Sequence, residues 1–96
     1  AVLDTQADDA GVVWHIVADR VLDAEVQGQI DWDRRWDFMQ QHHGQHLLSA
    51  AAENQFGART VAVHLGEEAC TVDLDHPGLT IEQLAELEDA TNAMIW

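Results

Sequence analysis

The sequence predicts an α+β fold in which one antiparallel sheet is covered by two helices. Three observations carry that prediction. Short runs rich in β-branched and apolar residues recur at 1–5, 11–18, 25–32, 59–65 and 69–74. A long stretch from Asp31 or Asp33 to about Asn54 places apolar residues at helical spacing and stops before Gly57. A second helical stretch opens on Thr80-Ile-Glu-Gln83, a capping-box pattern, and runs through Trp96.

Taken in order, Ala1–Thr5 is a strand that ends in the polar turn Gln6-Ala-Asp-Asp-Ala-Gly11, and Gly11–Ala18 is its partner. His15 lies inside that partner strand, where packing or an edge position explains it without any ligand role. Glu25–Trp32 alternates polar and apolar residues like a third strand, with Gly28 marking a bulge. On a helical wheel Trp36, Met39, His43, Leu47, Ala50 and Ala51 share one side, which is the expected buried face of the first helix. His42 and His46 fall at its margin, four residues apart, and Arg35 projects the same way. Gly44 inside the helix suggests a close backbone approach. The strands 59–65 and 69–74 form a hairpin around Gly66-Glu67-Glu68. Ile81, Leu84, Leu87, Met94 and Ile95 are the expected inner stripe of the last helix.

Composition bounds the function. Ninety-six residues with 47% hydrophobic content make one small folded domain or a piece of one. No apolar run is long enough to span a bilayer, and no signal peptide is visible. The first residue is Ala1 and the last residues are Ile95-Trp96, which suggests a piece of a longer protein. Net charge is −14, from 18 acidic residues against four Arg and no Lys. Two readings stay open: a surface that repels nucleic acid, or adaptation to high salt, where screening removes most of that repulsion. A single cysteine, Cys70, rules out an internal disulfide and points to a cytoplasmic protein.

His42 and His46 have the spacing that lets two imidazoles on one helix face bind a single transition metal, most often zinc. The competing reading is a chance pair on an amphipathic helix, with His43 a hydrogen-bonded core residue. No Gly-rich phosphate loop, nucleophile elbow or Cys-x-x-Cys is present, and His43 replaces the Glu that a His-Glu-x-x-His metalloprotease requires.

The run Arg35-Trp-Asp-Phe-Met-Gln-Gln-His42-His-Gly-Gln-His46-Leu-Leu resembles the signature helix of the alanyl-tRNA editing family. That family comprises the editing domain of the ATP-using alanyl-tRNA synthetase and its free-standing relatives, whose helix reads roughly Arg-x-x-His-Met-Gln-Gln-His-Thr-Gly-Gln-His-Leu-Leu. Val63-His-Leu-Gly66, Cys70-Thr-Val-Asp-Leu-Asp75 and the blocks Leu79–Gln83 and Asn92–Trp96 are similar to the hairpin and second helix of these proteins. The resemblance implies an editing-domain-like fold over 32–96, preceded over 1–31 by the end of a small β-barrel. It also implies zinc-dependent hydrolysis of tRNA(Ala) mischarged with serine or glycine. His42 and His46 take the positions of two zinc ligands, and His43 and Gln45 are candidate substrate contacts. Arg35, on the same margin, is a candidate partner for the phosphate or ribose at the tRNA end, and an ion pair with one of the many carboxylates is its competing reading. His43 stands where the family has a Thr, so it is the candidate sensor of the substrate side chain. The family's other two ligands come from a Cys-x-x-x-His motif that this sequence lacks, since Leu74 follows Cys70 at that spacing. Water, His64, Cys70 or a neighbouring molecule would then complete the site; one such arrangement is a homodimer in which two His pairs share one ion. The alternative is a catalytically silent binding or scaffold module with half a metal site.

Overall fold

The computed structural model describes residues 1–95. Its element order is β1 (Val2–Ala7), β2 (Val13–Val17), α1 (Trp32–Phe56), β3 (Arg59–His64), β4 (Thr71–Asp75) and α2 (Ile81–Ile95), so the fold is α+β. The expected extension of the last helix to Trp96 lies outside the described residues.

The strands form two separate antiparallel hairpins, β1–β2 and β3–β4, where one sheet was expected. In the first, Asp8 organises the turn. Its carboxylate accepts from the backbone N–H of Ala10 and Val12 and from the Trp14 indole, each at 2.9 Å. Gly11 supplies the positive φ of 80° that the turn requires. The expected third strand at 25–32 does not form: the stretch is irregular up to Asp31. Alternation marks a chain able to pair, but a strand exists only against a partner edge, and this stretch pairs with neither hairpin.

Helix α1 begins and ends on chemistry that the sequence displays. Asp31 is the N-cap, its side chain accepting from the Arg34 N–H at 3.2 Å. At the other end Gly57 adopts φ 63°, and the N–H groups of Gly57 and Ala58 return to the carbonyls of Glu53 and Ala52. Thr80 and Gln83 form the reciprocal capping box of α2, with bonds of 2.9 and 3.1 Å.

The buried faces differ from the expected ones. The core is Ala51, Ala52, Ala58 and Leu87, with Leu48, Phe56, Leu74, Leu79 and Ala90 packed around it. Helix α1 therefore turns inward the side that carries Gln41, Gln45, Leu48, Ala52 and Phe56. That side is about 180° from the predicted stripe at 100° per residue. Of the predicted stripe Trp36, Met39, His43 and Ala50 face solvent, Leu47 is half-buried and Ala51 alone is buried. In α2 only Leu87 of the predicted stripe is buried; Ile81, Leu84, Met94 and Ile95 are exposed. Gly44 has open space around it, since an added Cβ would meet nothing within 4 Å.

The inward side of α1 is chosen by polar groups as well as by hydrophobes. The Gln41 amide donates to the Gly66 carbonyl at 2.9 Å, and its oxygen accepts the Gly66 N–H at 3.3 Å. That two-bond clamp ties α1 to the β3–β4 turn. One turn on, Gln45 donates to Ser49 Oγ, which in turn accepts from Thr60 of β3 at 2.6 Å. Amides that find such partners can be buried at little cost.

Candidate metal centre

Helix periodicity places His42 and His46 one above the other. Their Nε2 atoms approach to 2.9 Å, one ring nitrogen donating to the other, with ring centroids 4.7 Å apart. Both rings are exposed. Two ligands of one tetrahedral zinc sit about 3.3 Å apart when each Zn–N bond is near 2.0 Å. The observed separation is a few tenths of an ångström short of that spacing. The donor set fits the metal, and it amounts to two of four ligands.

Among the described residues no group of three or more His, Cys, Asp or Glu side chains is gathered to hold an ion. His64 and Cys70 do not join the pair. His64 faces Asp73 across the β3–β4 hairpin at 3.9 Å, with both side chains exposed, and Cys70 is an exposed thiol beside the turn.

Arg35 is exposed one helical turn after the N-cap, on the histidine side of α1. Its neighbour Arg34 lies over the Phe38 ring, 4.2 Å from the centroid, a cation–π contact that fixes the other guanidinium. His43 is exposed on the outward face, and its ring sits apart from the His42–His46 pair by the turn of the helix. Gln45 is 8% exposed and committed to Ser49 in the seam between α1 and β3. Residue patterning overlooks Gln41, which immediately precedes the first histidine and holds the helix to Gly66. The available signal is its alignment with Gln45, Leu48 and Ala52 at i+4, i+7 and i+11.

The molecule is thus an α+β unit that presents an imidazole pair from the middle of a long capped helix. No family model matches the chain. Individual relatives do. The chain is 46% identical over 72 residues to the alanyl-tRNA editing protein Aarsd1 of Rattus norvegicus, covering 75% of this chain and 18% of that protein. It is 44% identical over 82 residues to Aarsd1-A of Xenopus laevis, covering 84% of this chain and 20% of the relative. It is 34% identical over 71 residues to the alanyl-tRNA editing protein AlaX-M of Methanosarcina mazei, covering 74% and 28%. The chain belongs to the alanyl-tRNA editing family. It spans about a fifth of the length of the vertebrate relatives it matches. No helix among the described residues is long and apolar enough to cross a membrane.

Proposed function

We propose that this chain carries the metal-binding helix of a cytoplasmic aminoacyl-tRNA editing hydrolase, with His42 and His46 as two zinc ligands. The substrate is tRNA(Ala) wrongly charged with serine or glycine. The observation that supports this best is the convergence of the two Nε2 atoms at 2.9 Å, neither bonded to any other side chain among the described residues. The names of the relatives supply the reaction class.

The reaction is ester hydrolysis: water adds at the aminoacyl carbonyl carbon, the bond to the ribose oxygen breaks, and that oxygen takes a proton. Zinc supplies positive charge that polarises the carbonyl or acidifies the attacking water. The chain's own residues hold and orient. His42 and His46 project from a helix clamped at Gln41 and capped at both ends, so their spacing is kept without the ion. Arg35 offers a guanidinium to the phosphate or ribose at the acceptor end of the tRNA. His43 is the candidate sensor of the amino-acid side chain. Gln45 reaches a substrate only by releasing Ser49.

Zinc titration followed by imidazole NMR tests the ligand assignment. Stoichiometric zinc should shift His42 and His46 together; His42→Ala or His46→Ala should abolish tight binding, and His43→Ala should retain it. Absence of any zinc-induced shift at the pair would overturn the assignment. A second reading, a catalytically silent binding or scaffold module, is favoured by the lack of a third ligand near the pair among the described residues. Deacylation of Ser-tRNA(Ala) and Gly-tRNA(Ala) separates the two. Zinc bound without ester hydrolysis supports the silent module.

A further inference from the structure

Strand β1 and the first turns of α1 enclose a groove of about 660 Å³, lined in part by Asp4, Asp31, Arg34, Arg35 and Phe38. Both of its walls belong to this chain. Two of the chain's four arginines stand side by side there. Among the described residues neither guanidinium comes within 4 Å of a carboxylate, in a chain that carries 18 acidic residues. The two carboxylates in the groove are engaged elsewhere. Asp31 accepts from the Arg34 N–H at 3.2 Å, and Asp4 accepts from the Thr5 N–H at 2.8 Å and the Gln6 amide at 3.0 Å. Arg34 lies over the Phe38 ring at 4.2 Å, with Arg34 exposed and Phe38 half-buried, so the layered pair is open to a further planar group.

The groove leads to the imidazole pair. At 100° per residue His42 projects within about 20° of Arg35 and stands about 10 Å further along the helix. Phe38 lies one turn before His42 on the same side.

We infer that this groove holds the single-stranded 3′ end of the RNA, with a base stacked on the Arg34–Phe38 layer and a phosphate on Arg35. The inference rests on the reading that the aminoacyl ester sits at His42 and His46, and it adds where the adjoining nucleotides lie. Unpaired bases are held by stacking on aromatic rings and guanidinium planes, which a paired stem does not offer. A phosphate suits a guanidinium that has no carboxylate partner. Long-range attraction to RNA is not available to a chain of charge −14, so contact has to come from such placed groups.

Fluorescence anisotropy of the whole chain with a labelled RNA tetranucleotide ending in CCA tests this without zinc. At about 0.15 M salt the screening length is about 8 Å, and distant carboxylates of the chain no longer oppose the RNA. Binding should saturate at one RNA per chain. Arg34→Ala should weaken it about fivefold or more, and Arg34→Lys should not restore it, because an ammonium keeps the charge and loses the plane. Arg35→Ala should also weaken binding, and Arg35→Lys should restore most of it, because a phosphate accepts either cation. Both side chains are exposed, so the helical circular dichroism of these variants should stay unchanged. No binding at millimolar RNA, equal binding by Arg34→Ala, or full rescue by Arg34→Lys would each overturn the inference. Zinc titration of the same samples separates the two readings. Zinc bound at the histidines without RNA binding removes the groove alone, whereas Arg34-dependent RNA binding without zinc removes the metal assignment alone.

Discussion

At the scale of single residues, the side chains that hold the site are neighbours of the ones that carry the chemistry. Gln41 precedes His42 and makes two bonds to the half-buried Gly66 backbone, with a third to Asp37 at 2.8 Å. Gln41→Ala leaves an N–H and a carbonyl of Gly66 without their partner, at a cost of about 1–3 kcal/mol. Its melting temperature should fall, and Gln41→Glu should fail to rescue it. A carboxylate cannot donate to the Gly66 carbonyl and would repel Asp37. Thermal melts of the two variants check this, and an unchanged Gln41→Ala melt would remove the clamp from the account. The imidazole pair was legible as spacing, because i, i+4 geometry follows from the helix alone. The burial of Gln45 was not, because an amide is buried or exposed according to partners on other elements, here Ser49 and Thr60.

At the scale of elements, boundaries written in local chemistry were legible and faces were not. Asp31, Gly57, Thr80 and Gln83 mark helix ends because each satisfies backbone groups within four residues of itself. Which side of α1 turns inward depends on where β3 and α2 lie. The most apolar stripe lost to the side centred on Ala52, and only Ala51 of the predicted stripe joins it in the core with Leu87. The predicted strand at 25–32 failed for a related reason, since a strand is a property of two segments. Hairpin β1–β2 shows the local case in full. Three hydrogen bonds, the Trp14 indole first, hold the Asp8 carboxyl below its ordinary 3.8. A depressed folded value means the carboxylate stabilises the turn at pH above 3.8, and the contribution is lost as pH falls through the lower, folded value. The Trp14 indole N–H resonance should therefore hold its position from neutral pH to about 4 and move toward the free-indole value in stronger acid. In Asp8→Asn, which has no carboxyl to protonate at this position, the acid transition should vanish. Persistence of the transition in that variant would assign it to another group.

At the scale of the whole molecule, charge opposes compactness. Fourteen uncompensated negative charges sit on a body of 56 × 30 × 19 Å whose buried hydrophobic core is four residues. Among the described residues the one charge pair within 4 Å is His64–Asp73, which counts only when the histidine is protonated. At 10 mM salt the screening length is about 30 Å, so carboxylates repel across the full width of the molecule; at 1 M it is about 3 Å and only adjacent groups interact. Unfolding spreads those charges apart, and screening removes that advantage of the unfolded chain. Stability should therefore rise with salt. A gain of about 1 kcal/mol in a domain of this size corresponds to roughly 4–8 °C in melting temperature. Calorimetry from 10 mM to 1 M NaCl checks this, and a rise of several degrees in melting temperature is the expected result. A flat profile would show that the unfolded chain gains nothing from separating its charges, and that the 18 acidic side chains do not limit the fold.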